Sequence, residues 1–218
     1  EQAYDRLVDR LLKSERYGEH MGRQWLDVAR YADTHGLHLD NERSMWPYRD
    51  WVVRAFNQNL PFDQFTVRLL AGDLLPEATL EDVVGSAFHR NTPTNAEGGT
   101  DDEEYRVAAV LDRVSTTWKT WMGVSFHCVQ CHAHPYDPFE QPEFYRFAAF
   151  FNTSQDWDLT SDEPKLPVPV DPADFEKAHG LDRELHRLRQ ARHDLAEGLG
   201  GDPKAWRTLA PTAATSSH

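Results

Sequence analysis

Apolar residues recur at three- and four-residue spacing through most of the first 152 positions, and no stretch sustains the alternation of a half-buried strand. The pattern predicts an all-α fold. Tyr4, Leu7, Val8, Leu11 and Leu12 make a first helical stripe; Trp25, Leu26, Ala29 and Ala32 make a second, running to about Gly36. Pro47 and Pro61 each stand where a first helical turn tolerates a missing amide. They precede the stripes Tyr48, Trp51, Val52, Ala55, Phe56 and Phe62, Phe65, Leu69, Leu70, the latter stopped by Gly72. Thr79 and Asp82 have the spacing of a capping box for a brief helix through Val83, Val84 and Ala87. The longest stripe starts from Asp101-Asp-Glu-Glu104, whose charges suit the positive end of a helix, with Thr100 or Asp101 as its cap. It continues through Val107, Val110, Leu111, Val114, Trp118, Trp121 and Met122 and is the predicted spine of the core. Phe144, Tyr145, Phe147, Ala148 and Phe151 carry a last helix of this region, so the segment between them and the spine lies between two buried helices.

After Asn152 the pattern changes. Residues 153–171 are acidic and carry Pro164, Pro167 and Pro169, as a linker or surface strap would. Residues 172–207 hold Leu181, Leu185, Leu188, Leu195 and Leu199 amid dense charge, a narrow heptad-like stripe suited to packing on a partner helix along 181–199. The tail, 208–218, has too few apolar residues to fold. The expected organisation is a helical domain over 1–152, the linker, a charged amphipathic helix and a disordered tail.

Charge narrows the partners. With 36 acidic against 23 basic residues, the net charge of -13 repels phosphate backbones, so nucleic acid is not an expected partner. No uncharged apolar run is long enough for a membrane span. A basic partner would be steered towards the chain. The first helix opens at once, with no basic leader before it, as in an excised or processed piece.

The only two cysteines fall in Cys128-Val-Gln-Cys-His132, the attachment pattern of a c-type haem. Two intervening residues set both thiols along one edge of a porphyrin, where they add to its vinyl groups, and His132 follows as the proximal iron ligand. The expected cofactor is one covalent haem c. A zinc site is a rival, but structural zinc draws a second ligand pair from a distant segment and the chain has no further cysteine. A thioredoxin-type dithiol wants a βαβ setting, which the helical flanks do not offer.

The motif belongs to a longer pattern. Arg16-Tyr-Gly18, Trp25-Leu-Asp-Val-Ala-Arg-Tyr-Ala-Asp33, Tyr48-Arg-Asp-Trp51, Leu70-Ala-Gly-Asp-Leu-Leu-Pro76, Phe88-His-Arg-Asn91 and Glu97-Gly-Gly99 precede it. Glu103-Glu-Tyr-Arg106, Asp112-Arg-Val114, His134, Tyr136-Asp-Pro138 and Ala149-Phe-Phe-Asn152 complete it. From Tyr4 to about Asn152 the chain resembles the domain of unknown function that accompanies cytochrome-like domains in large exported planctomycete proteins, the second planctomycete cytochrome domain. The resemblance implies an exported, periplasmic or similar location and a mostly helical domain with one covalent haem. His127 and Ala133 depart from the glycine and aspartate common in the family and bear on the haem surroundings.

A ligand on the far face of the iron would separate an electron carrier from a site open to small molecules. The three methionines, Met21, Met45 and Met122, all precede the motif, so none can close the site from downstream. His134 is two residues from His132, at most about 7 Å even when extended, too short to round a macrocycle. Candidates for the sixth position are His35, His38, His89, Met21 and Met45, with His20 and Met122 behind them. Candidate second-sphere or propionate contacts are His127, His134, Asp137, Arg106 and Arg113, where a turn at Asp137-Pro138 or salt bridges of the arginines are the alternative roles. Glu97–Glu104 is acidic enough for calcium but lacks the spacing of a known calcium loop, and helix capping accounts for it. Three functions follow: a mono-haem electron-transfer domain of a larger exported redox protein; a five-coordinate haem oxidoreductase or small-ligand site; or a structural or binding module with a non-redox haem or zinc.

Overall fold

A computed structural model describes residues 2–36, 40–95, 99–154, 156 and 164–198. His38, Glu97 and the tail from 199 onward lie outside these residues. The described chain is mostly helical, with no strand; one antiparallel bridge joins Thr34 and Glu42. It divides into two compact units, Glu1–Val170 and Asp171–His218.

The first unit holds α1 (Gln2–Leu12), α2 (Arg16–Val28), α3 (Trp46–Asn57), α4 (Phe62–Ala71), α5 (Leu80–Ser86), α6 (Asp102–Met122) and α7 (Gln141–Ala148). Short 3-10 turns at Gly72–Leu74, Ala87–Arg90 and Phe126–Gln130 link them. Local chemistry sets the boundaries. Pro47 lies in the first turn of α3 and Pro61 is the N-cap of α4. Thr79 and Asp82 form the capping box of α5: the Asp82 amide donates to Thr79 Oγ1 at 3.2 Å and the Thr79 amide to Asp82 Oδ2 at 2.9 Å. Asp101 caps α6 by accepting the amides of Glu103 and Glu104. At its other end Gly123 adopts φ 67°, a left-handed conformation that costs a side chain about 1 kcal/mol, and turns the chain out of the helix.

Two aromatic clusters fill this unit. In one, Trp25 meets Phe65 and Trp121 edge-on at 4.8 and 5.5 Å, while its indole donates to Tyr48 Oη at 3.1 Å. Here α2 and α3 approach closely: a β-carbon on Gly18 would overlap the Val53 carbonyl, and its amide donates to Asn57 Oδ1 at 2.8 Å. In the other, α6, α7 and the 126–130 turn enclose Val110, Val114, Phe126, Val129, Phe144 and Ala148. An ion pair joins α6 to the segment after α2: Arg30, itself at φ 60°, donates to both oxygens of Asp112 at 2.6 and 2.5 Å.

Three stripes differ from expectation in what they bury. α1 buries no residue, and Tyr4 is 70% exposed. α2 ends at Val28 instead of running to Gly36, because Arg30 leaves helical geometry. On α6 the buried face runs through Ala109, Val110, Arg113, Val114, Thr116 and Thr117, so Val107 and Met122 face outward. Asp156, within the stretch read as linker, is buried in the first unit.

The second unit is described by a turn at Pro172–Asp174 and by α8 (Phe175–Gly198). Asp171 starts it by accepting the Ala173 amide at 2.9 Å. Leu181, Leu185, Leu188 and Leu195 are all exposed along α8.

Candidate functional site

Gly123 delivers the chain to the 3-10 turn Phe126–Gln130, and the two sides of that turn have opposite characters. Phe126 and Val129 are buried completely, Phe126 stacking on Trp118 with centroids 4.2 Å apart and meeting Phe139 edge-on. Driving these side chains inward turns the others outward: Cys131, His127 and His132 are exposed and Cys128 half-buried. Both cysteines are free thiols. Cys128 Sγ donates to the Ser125 carbonyl at 3.1 Å.

The end of the turn is held by α7. Gln141 donates from Nε2 to the carbonyls of Gln130 and Cys131, at 3.1 and 3.4 Å, and Tyr145 Oη to that of Gln130 at 3.0 Å. These bonds occupy carbonyls that a short helix otherwise leaves unsatisfied. His132 then directs Nδ1 at the Ala133 carbonyl, 2.7 Å away. A carbonyl only accepts, so Nδ1 carries a proton; in the neutral ring this leaves the lone pair on Nε2, the tautomer a metal-ligating imidazole requires.

The neighbouring histidines have other roles. His134 Nδ1 accepts the amides of Asp137 at 2.9 Å and Tyr136 at 3.3 Å, while its own amide donates to the Phe139 carbonyl at 2.8 Å. An acceptor nitrogen carries no proton, so the Asp137 carboxylate 3.1 Å away is not an ion-pair partner. His134 therefore closes the 134–139 loop beneath the motif. Ser115 spends its hydroxyl proton on the Leu111 carbonyl, so His127 Nδ1 donates to Ser115 Oγ at 3.3 Å.

The candidate far-face ligands gather elsewhere. His35, Met45 and His89 line a mostly apolar cleft of about 1300 Å³, walled by Trp46, Phe147 and Phe150 and by residues 164–168. None of Cys128, Cys131 and His132 lines it. Met21 is half-buried on α2, His20 is exposed there, and Met122 is exposed at the end of α6. Arg106 is committed to Glu103 and to the Asn152 carbonyl. Arg113 is 3% exposed and spends four of its five N–H donors inside the fold, Nε on the His89 carbonyl and the terminal nitrogens on Ser154 and Asp156, with its charge already paired by that carboxylate. Among the described residues no three His, Cys, Asp or Glu side chains form a group that could hold a metal ion.

The cluster beside the cleft has no counterpart in the sequence reading. Asp156 accepts from Arg90, from both terminal nitrogens of Arg113 and from Ser154, and Ser154 also accepts from Arg113, so both residues are pinned onto α6. Next to it, burial first and the charge of Arg113 second push the His89 pKa down to about 4, against a hydrogen bond to the Leu70 carbonyl that favours the charged ring. The ring is neutral in the fold and would take up a proton near pH 6.5 when unfolded. The unfolded chain therefore binds more protons between these values, and stability should fall by on the order of 3 kcal/mol as pH drops from about 6.5 to 4. Chemical denaturation across that range should show the loss, and His89→Leu should remove this part of the slope.

Donor chemistry at the motif fits a covalent haem: two thiols outside any disulfide and an imidazole whose Nδ1 is held by a carbonyl leave one short turn on its outer side. The model of the family PSCyt2, a protein of unknown function (DUF1549), matches residues 1–156. No curated protein and no solved structure matches the chain. With most of its length matched, the chain belongs to the PSCyt2 (DUF1549) family.

Proposed function

We propose that this DUF1549 chain is a mono-haem c-type cytochrome domain that transfers electrons within a larger exported redox protein. Cys128 and Cys131 carry the thioether bonds and His132 Nε2 ligates the iron. The observation that carries the reading is the His132 Nδ1 bond to the Ala133 carbonyl, which prepares Nε2 as a ligand beside two unpaired thiols. A bound haem supplies a one-electron iron couple. The chain supplies rigidity and orientation: Phe126 and Val129 anchor the turn from inside, Gln141 and Tyr145 hold its end, and His134 fixes the loop that follows. An attachment face on the outside of the unit suits exchange with a partner protein, and the charge of -13 favours a basic one. The planctomycete affinity and the periplasmic or otherwise exported location belong to this proposal.

The test is reversible reduction of protein matured by the c-type machinery, together with its ligand binding. A reversible one-electron couple is expected, and a low-spin, six-coordinate spectrum unchanged by carbon monoxide would mark a closed electron carrier. High-spin iron that takes up carbon monoxide rapidly would favour the small-ligand reading instead. A redox-silent haem would overturn electron transfer.

A further inference from the structure

The second unit carries an apolar seam with nothing laid on it among the described residues. Leu181, Leu185, Leu188 and Leu195 are 64%, 44%, 53% and 66% exposed on one 24-residue helix. Their spacing fits one heptad register, with Ala178, Leu185 and Arg192 at the a positions and Leu181, Leu188 and Leu195 at d. A helix whose apolar positions form an a/d seam alone, narrower than a core-facing stripe, is patterned for another helix. α8 also contains Gly180, which weakens a helix by about 1 kcal/mol relative to alanine, so such a helix needs a partner to be well populated.

The charges flanking the seam identify that partner. In this register Lys177 and Glu184 occupy g, and Asp182 and Arg189 occupy e. In a parallel, in-register pair each g residue faces the e position five residues later on the other helix. Lys177 then meets the second copy's Asp182, and Glu184 the second copy's Arg189; symmetry doubles both, giving four attractive pairs and no repulsive one. An antiparallel pair with the leucine layers aligned brings Asp182 to Arg189 twice and leaves Lys177 and Glu184 without opposite charges. We propose that α8 is a dimerisation helix, pairing with α8 of a second copy in a parallel two-stranded coiled coil. Arg192 lies in an a layer near one end, where its long stem covers apolar surface and its guanidinium reaches water. A polar a residue of this kind sets register at some cost in stability.

The test uses the full 218-residue chain without haem, so it stands apart from the cofactor question. Sedimentation over a concentration series should show a monomer–dimer equilibrium. Leu188→Asp should raise the dimer Kd by more than about a hundredfold, since it places charge in a core layer. Its side chain is exposed in the monomer, so the first unit keeps its near-ultraviolet dichroism. Glu184→Arg should weaken the dimer about tenfold by turning two attractive pairs repulsive, and adding Arg189→Glu should restore it. With Cys128 and Cys131 replaced by serine, Arg192→Cys should cross-link across the parallel seam. Antiparallel pairing sets the two sites about 16 Å apart along the axis and prevents the cross-link. A chain monomeric at every concentration overturns the proposal, as does a dimer indifferent to Glu184→Arg or one that fails to cross-link.

Discussion

Replacing Asp156 by alanine should cost about 3–5 kcal/mol of stability, the largest loss expected from a single polar substitution in this protein. The cost comes from what remains. Arg113 is 3% exposed and Asp156 5%, and two of the arginine's three nitrogens bond to that carboxylate at 2.6 and 2.8 Å. Removing the carboxylate leaves a guanidinium buried without its counter-charge, and Arg90 loses the same partner. Adding Arg113→Met should recover part of the loss, because a buried pair gives little net stability although half of it is strongly destabilising. Acid provides the cross-check. Burial works to raise the Asp156 pKa, but the hydrogen bonds and charge of Arg113, with help from Arg90 and Ser154, outweigh it and hold the group below its ordinary value. A carboxylate lowered in the fold contributes stability that is complete above its unfolded pKa of about 4 and is lost as pH falls through the lowered value. Urea denaturation of wild type and Asp156→Ala should therefore give curves that converge below about pH 4. A difference that stays constant into acid would mean that packing, not charge, is the reason Asp156 matters.

The second large effect concerns the motif. The double variant Cys128→Ala, Cys131→Ala should carry no haem through denaturation, whereas each single variant should keep one thioether and a shifted haemochrome band. His132→Ala should keep both thioethers and lose the proximal ligand, giving a changed spin state on a haem that stays attached. The fold should tolerate all three substitutions, since Cys131 and His132 are exposed and the turn is anchored by Phe126 and Val129. Haem-stained denaturing gels and visible spectra separate the cases. Haem retained by the double variant would show that the thiols are not its anchors.

Much of this was legible in the sequence because its causes are local. The Thr79–Asp82 box, the prolines at the starts of α3 and α4 and the Asp101 cap act within four residues, and the structure uses each as its spacing predicts. The two cysteines and His132 are likewise contiguous, so one turn brings them together on its outer side. What depends on distant partners was not legible. Periodicity shows that Tyr4, Leu7 and Leu11 share a face but not whether anything covers it, and α1 buries none of them. Arg113 has the charge and position of a propionate contact, yet it is committed to a carboxylate 43 residues away. Nothing in the acidic stretch around Asp156 marks that residue from its neighbours. The surroundings of the far-face candidates were hidden for the same reason: His35, His89 and Met45 are spread along the chain, and only the packing of residues 147–154 and 164–168 shows that they line a cleft without the motif.

The pyridine haemochrome of the denatured, matured chain tests most directly the proposal that Cys128, Cys131 and His132 hold a haem. Haem that resists acid-acetone extraction and gives the haemochrome band of two thioether bonds, in a ratio of one haem to one chain, is the expected result. Haem that extracts completely, or a colourless chain from cells that mature a control cytochrome, would contradict it.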